Sequence, residues 1–356
     1  MAIDIIKVVF PAIISFLVGI LLTPIVTNFL YKNKMWKKKA KTVAIDGGGT
    51  PIFNSLHAEK EINTPRMGGI VIWASVFITT VGLWFLAKIF PTDLMTKLDF
   101  LSRNQTWIPL FTLMFGALVG LIDDVLEVKG GGGNYAGGLS LRKRLALVTI
   151  ISLFISYWFY FKLDVHVINF PFIFGVVLSW WWFIPIFVGI VLLIYSGGII
   201  DGIDGLSGGV FASAFAAYAG IAYFQQQINL ASFCIVVVGA ILAFLWFNIP
   251  PARFYMSETG SMALTITLAI IAFMTDSKVG GRGVAVLPII ALPLIVTTLS
   301  VVIQLLSKKF RGKKIFLVSP MHHHFEAIGW PASKVSMRYW IVSVVCAVFG
   351  LSLIHI

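Results

Sequence analysis

Long apolar runs separated by short polar stretches recur along the whole chain. Ten such segments are read from the pattern, at about Ile5–Leu30, Gly69–Phe90, Ile108–Ile122, Leu145–Phe161, Trp182–Gly197, Gly208–Tyr223, Leu230–Phe247, Ser261–Met274, Val284–Leu306 and Tyr339–Leu353. Several fall short of the roughly 20 residues that a perpendicular helical span needs, so their ends are expected to run on into the flanking loops. The pattern predicts an all-α integral membrane protein of about ten transmembrane helices, forming a single polytopic membrane domain over residues 1–356. No loop is long enough for a separate soluble domain. The first segment is expected to stay in place as a span. It is too long for the apolar stretch of a signal peptide, contains Pro11 and Pro24, and is followed by no small-residue cleavage site.

Composition agrees with this reading. Hydrophobic residues make up 58% of the chain and charged residues 12%, with a mean hydropathy of +0.94. A soluble surface would need far more charge. Twenty of the 27 lysines and arginines fall in the stretches 31–68, 123–144, 198–207, 248–260 and 307–338. The positive-inside rule makes those stretches cytoplasmic and leaves both termini outside. The net charge of +12 is then explained by topology and by contact with anionic membrane lipids, with no call for nucleic acid as a partner. Trp180-Trp181-Trp182 reads as an interfacial belt. Cys234 and Cys346, inside separate spans, read as small apolar residues with neither a disulfide nor a metal site indicated.

Candidate chemistry lies on the cytoplasmic side. Ten of the fifteen acids fall there: Asp46, Glu59, Glu61, Asp123, Asp124, Glu127, Asp201, Asp204, Glu258 and Glu326. Acids contribute little to orientation, so they need another reason. Asp123-Asp124, at the end of the third segment, are adjacent carboxylates that a divalent cation or a cationic partner would relieve; a solvated loop start is the plain alternative. If a helix starts at Asp201-Gly202-Ile203-Asp204-Gly205, Asp201 and Asp204 share one face near its N-terminus, whereas simple capping covers only one of them. The stretch from Asn248 to Ser261, stiffened by Pro250-Pro251, presents Phe254-Tyr255 and Glu258. His322-His323-His324 cannot all point one way on a helix, so one or two are expected at a site and the rest in structural contacts. With no ligand spacing beside them, they read as donors to phosphate oxygens more readily than as metal ligands. Hard carboxylates beside phosphate-binding groups suggest Mg²⁺ and phosphoryl transfer.

At Thr64-Pro65-Arg66-Met67-Gly68-Gly69, Gly120-Leu121-Ile122-Asp123-Asp124, Asp201 to Leu206, Phe244 to Asn248, Met256 to Ser261 and Pro320 to Glu326, the chain resembles the polyprenyl-phosphate N-acetylhexosamine-1-phosphate transferase superfamily. Within it the chain is most similar to the phospho-N-acetylmuramoyl-pentapeptide transferases. The histidine motif is the most specific of these elements. The resemblance implies transfer of phospho-N-acetylmuramoyl-pentapeptide from its UDP carrier to undecaprenyl phosphate, with Mg²⁺ as cofactor, in a bacterial cytoplasmic membrane. It also implies roles: Asp123, Asp124, Asp201, His322 and His323 as catalytic residues, with Asp123 a base on the lipid phosphate. Lys60, Thr64, Asp204, Asn248, Tyr255 and His324 would bind substrate, Asp204 and Tyr255 reading uracil, while Glu258 and Asp201 would serve the metal. The sequence leaves the oligomeric state open, with a homodimer one option.

The chain departs from the family pattern at several of these places. Gly198 and Tyr195 stand where asparagines are usual, Glu258 where an aspartate is, Glu127 where a lysine is, and Arg66 where a threonine is. A sibling transferase for another UDP-linked amino sugar, a transporter and a non-catalytic relative are the competing expectations. A transporter would place ionisable groups near mid-membrane, and here they sit at span ends.

Overall fold

The computed structural model describes residues 2–38, 51–102, 104–130, 138–170, 173–277 and 281–353. In chain order its elements are α1 (Ala2–Lys32), α2 (Pro51–Asn63), α3 (Gly69–Ile89), α4 (Asp93–Leu98), α5 (Trp107–Lys129), α6 (Leu141–Lys162), β1 (Val167–Phe170), β2 (Ile173–Val177), α7 (Trp180–Ser196), α8 (Leu206–Phe224), α9 (Ile228–Asn248), α10 (Ser257–Asp276), α11 (Gly283–Ile290), α12 (Leu292–Arg311), α13 (Met321–Ala327) and α14 (Ala332–Ser352). Among the described residues, ten helices are long and apolar enough to cross a membrane: α1, α3, α5 to α10, α12 and α14. The chain is a multi-pass membrane protein.

The boundaries differ from the sequence expectation where polar residues are taken into a helix or proline interrupts one. Asp123 and Asp124 lie inside α5, which continues to Lys129 and ends at Gly130 in the left-handed conformation. α10 starts at Ser257, so Glu258 belongs to its first turn. The ninth segment divides at Ala291 into α11 and α12, with Pro293 in the first turn of α12, where a missing N–H costs nothing. The loops add α2, α4, α13 and, among the described residues, one antiparallel hairpin, β1–β2, irregular in register between Ile168 and Phe170. Asp201 and Asp204 do not share a helical face. They occupy the turn between a short 3-10 segment (Gly197–Ile200) and α8, and Gly205, at φ 77°, takes the backbone out of helical geometry between them and α8.

Every residue of α10 except Glu258 is buried, as expected for a helix that is surrounded by other helices. α1 lies at the rim and exposes Ile13, Leu17, Leu21 and Ile25 along one stripe, a lipid-facing pattern. α5 and α3 approach α10 through glycines. A Cβ on Gly116 would lie 3.0 Å from Ala263 Cα, one on Gly120 2.8 Å from Thr259 Cα, and one on Gly69 2.9 Å from the Thr259 carbonyl carbon. Such close packing lets dispersion hold helices together where lipid supplies no hydrophobic drive. The far end of α10 is clamped as well: Asp276 accepts from Asn169 N (2.9 Å) and Val284 N (3.0 Å), tying the hairpin and α11 to it.

The Gly120 contact carries a prediction. Gly120→Leu would drive a side chain into the α10 backbone, and overpacking of this kind costs about 1–3 kcal/mol. The detergent-solubilised variant is expected to unfold at lower temperature than the wild type. An unchanged midpoint would contradict the close approach of α5 and α10.

Candidate active site

Carboxylates from three elements converge on the first turn of α10. The chain leaves α9 at Asn248, passes Pro250-Pro251 and buries Phe254 before α10 begins. Asn248 braces this passage, its Oδ1 accepting from Gly205 N (3.0 Å) and its Nδ2 donating to Phe254 O (2.8 Å). The loop before α3 pairs with it edge to edge: Tyr255 N donates to Pro65 O (2.9 Å), while Gly68 N donates to Tyr255 O (2.7 Å) and Gly69 N to Met256 O (3.1 Å). This pairing brings Thr64 and Arg66 beside Tyr255 and the helix start. Ser257 itself sits at φ 57°, a left-handed conformation that costs a residue with a Cβ about 1–3 kcal/mol unless its surroundings hold it.

The N–H groups that this turn leaves without helical partners are taken by acids from elsewhere. Ser257 N donates to Asp201 Oδ2 (2.7 Å), and Ser207 Oγ to Asp201 Oδ1 (2.7 Å). Thr259 N and Oγ1 both donate to Asp124 Oδ2, at 2.9 and 2.6 Å. The positive end of the helix dipole favours both anions. Burial nonetheless pushes the Asp201 carboxyl above its ordinary range, against the two hydrogen bonds that lower it. Asp204 turns the other way: its Oδ2 accepts from Ala252 N (3.3 Å) and its backbone O from Ser336 Oγ (2.9 Å), which ties α14 to the loop.

Two arginines complete the cluster, and neither was singled out for a role beyond topology or family departure in the sequence. Arg144, near the start of α6, places Nη1 2.5 Å from Glu258 Oε1 and Nε 3.5 Å from Asp123 Oδ1, while Nε also donates to Leu139 O (3.0 Å). Arg66 Nε lies 3.0 Å from Glu127 Oε2 and 3.7 Å from Asp124 Oδ1, and Lys37 Nζ is 3.2 Å from Glu127 Oε1. Asp123 Oδ1 also accepts from Leu139 N (2.5 Å). Among the described residues, Asp123 Oδ2 and Asp124 Oδ1 accept no hydrogen bond although both are buried. A buried polar atom left in this state costs about 1–3 kcal/mol, and more when charged, so these two oxygens are the natural donors for a cation.

The histidines approach from α13. His322 and His323 are buried, and a Cβ on Gly202 would lie 2.6 Å from His322 Nε2 and 2.8 Å from His323 Nε2, so both rings cover the Asp201–Asp204 turn. His324 faces away, its Nδ1 accepting from Leu317 N (3.3 Å) and its ring meeting Phe316 edge-on. His324, expected among the substrate-binding residues, is therefore not brought to the turn with the other two. Burial drives the His322 imidazole well below its ordinary range, with His323 and His57 adding to the effect, so His322 is neutral. His57, on α2, joins the group through Glu326; as a lone histidine in a polar stretch it gave no signal in the sequence. The Lys60 side chain lies outside the described residues.

The family model for glycosyl transferase family 4 matches residues 106–276, which span α5 to α10. Curated relatives match nearly end to end. A Geobacillus protein (strain WCH70) is 33% identical over 350 residues, covering 95% of each chain. Proteins of Anoxybacillus flavithermus and Bacillus subtilis (strain 168) are each 32% identical and cover 97% of each chain. All three carry the name phospho-N-acetylmuramoyl-pentapeptide-transferase.

The buried histidine predicts a pH dependence of stability. The unfolded chain protonates His322 below about pH 6.5 and the folded one does not, so stability falls as pH drops through that value. Glu326, pulled down to about 2, adds a second loss as pH falls from its ordinary 4.5 towards 2. Asp201, with its raised carboxyl, acts in the opposite sense. His322→Gln leaves both carboxyls in place, so its melting temperature is expected to decline less than that of the wild type between pH 7 and 5. Parallel declines would contradict a neutral buried His322.

Proposed function

That the chain belongs to the phospho-N-acetylmuramoyl-pentapeptide transferase family is the premise from which we propose its reaction. It transfers phospho-N-acetylmuramoyl-pentapeptide from UDP-N-acetylmuramoyl-pentapeptide to undecaprenyl phosphate, giving lipid I and UMP for peptidoglycan synthesis. The observation that carries this reading is the set of buried carboxylates gathered on the first turn of α10, with two histidines over the Asp201–Asp204 turn. Groups of this kind at span ends suit a lipid head group that meets a water-soluble nucleotide at the membrane surface. The site then faces the cytoplasm in the bacterial inner membrane, with both termini outside.

An oxygen of the lipid phosphate attacks the β-phosphorus of the nucleotide sugar. The new P–O bond forms as the bond from that phosphorus to the UMP oxygen breaks, and UMP leaves. Asp123 accepts the proton of the lipid phosphate where it carries one. A phosphate is already a competent nucleophile, which favours direct displacement over a covalent enzyme intermediate. Arg144 and Arg66 place guanidinium charge against Asp123, Asp124 and Glu258, and such groups suit phosphate oxygens as well as carboxylates.

Mg²⁺ fits the carboxylate cluster: Asp124 would hold it through Oδ1, which accepts no hydrogen bond and lies 3.7 Å from Arg66 Nε, with substrate phosphate as the further donor, while Asp123 Oδ2 stays open to the lipid phosphate. When bound, the ion supplies neutralisation of charge on the diphosphate. Asp201 and Glu258, the two ligands that the resemblance implies, are engaged by Ser207 and Ser257 and by Arg144, and would exchange those partners to reach it. On the nucleoside side, Asp204, Asn248 and Tyr255 are assembled by one loop, which supports their joint use on uracil.

Purified protein with undecaprenyl phosphate and Mg²⁺ is expected to release UMP from UDP-N-acetylmuramoyl-pentapeptide and far less from UDP-N-acetylglucosamine. Equal release from both would favour a sibling transferase, and no release from either a non-catalytic relative. Asp123→Asn is expected to cut turnover by roughly 100-fold or more, within the range that general-base groups contribute. Turnover near the wild-type rate in a folded variant would remove Asp123 from the reacting centre.

A further inference from the structure

Glu326 sits three residues after His323 on α13, on the same face of the helix. Its Oε2 is 2.8 Å from His323 Nδ1 and 2.9 Å from His57 Nε2. All three side chains are buried, at 4% exposure for His323 and 9% for the other two. The two histidines pull the Glu326 carboxyl down to about 2, so it is ionised at any ordinary pH. An ionised carboxylate only accepts hydrogen bonds, so both histidines must donate to it. That assigns a proton to His323 Nδ1. The other ring nitrogen, His323 Nε2, then faces Gly202 and the Asp201–Asp204 turn.

We propose that Glu326 and His57 are positioning residues for His323. Together they lock its ring with Nδ1 toward the protein and Nε2 toward the substrate's diphosphate. This rests on the transferase reading for the identity of the substrate, but the lock itself is a property of the protein alone. Glu326 does two things to the ring. It selects one of two ring orientations, and when the ring carries both protons Nε2 donates to a phosphate oxygen while Nδ1 stays on Glu326. His57 takes the remaining capacity of the same oxygen and ties α2 to α13, so the ring is held by two elements far apart in sequence. His322 is built differently: both its ring nitrogens are buried without a hydrogen bond among the described residues, and no carboxylate fixes its proton. The positioning therefore distinguishes two adjacent histidines that the sequence leaves equivalent.

The test has two arms. In the first, the full-length protein in detergent is labelled with ¹⁵N-histidine, and the His323 signal is identified by its loss in His323→Asn. The ¹⁵N shifts are expected to show a proton on Nδ1 of His323 without substrate present; a neutral ring with its proton on Nε2 overturns the proposal. In the second, UMP release is measured for Glu326→Gln, His323→Asn and the double variant. Glu326→Gln is expected to lower kcat by about tenfold to a hundredfold with little change in KM for the nucleotide sugar, the size typical when an orienting partner is removed. In the His323→Asn background the same substitution is expected to cost almost nothing further, because Glu326 acts through that ring. Additive losses would make Glu326 a structural residue and overturn the proposal. If the wild type releases no UMP, the transferase reading fails, while the ¹⁵N measurement still decides the lock.

Discussion

The first turn of α10 is the constraint on which the rest of the site depends. A helix start leaves N–H groups without intrahelical partners, and this one is buried at the centre of the bundle, where water cannot satisfy them. Asp201 and Asp124 do so instead, one arriving on the turn before α8 and one on α5. The glycines at 69, 116 and 120 let α3 and α5 come near enough for this to happen. Replacing either acid by an apolar residue would remove a possible ligand and also strip the helix start of its cap. The same contacts therefore fix both the packing and the chemistry.

The departures from the family pattern make sense as compensated charges once their neighbours are known. Glu127 puts a negative charge beside Asp124, in place of the usual cation. Arg66 and Lys37 each pair with Glu127, and Arg66 also lies near Asp124, so positive charge returns from other elements. Glu258 carries one methylene more than an aspartate and meets Arg144, which also lies near Asp123. Tyr195 stands close to this group, within electrostatic reach of Glu258, Arg144 and Asp123. This side of the cluster thus differs from the family pattern in its residues while keeping cations and carboxylates matched.

Much of the architecture was legible in the chain because lipid leaves so little choice. A span must be apolar for its whole length and satisfy its own backbone, so hydropathy alone yields ten helices. What hydropathy hides is a helix that carries its polar residues with it, as α5 does Asp123 and Asp124, or a helix broken within an apolar run, as at Ala291. The site was legible as a set of motifs and illegible as a geometry. Asp201 and Asp204 read as a pair by spacing, yet the turn sends one to Ser257 and the other to Ala252. Arg144 disappeared into the positive-inside count, where one arginine looks like any other.

The histidine end shows why a motif can be specific without declaring its roles. Three identical residues in sequence occupy three environments on a short helix. One is neutral, with its ring nitrogens free of hydrogen bonds from any described residue; one is oriented by Glu326; one packs on Phe316. His322 and His323 both lie against Gly202 and differ in the Glu326 contact that only His323 makes, while His324 meets the loop carrying Leu317. Only a residue without a side chain lets two imidazoles come so close to the Asp201–Asp204 turn, so Gly202 contributes to the site by leaving space. The carboxylates at the start of α10 and the histidines of α13 are therefore two halves of one arrangement that meet across a glycine. A side chain at Gly202 would separate them without altering any of those carboxylates or histidines.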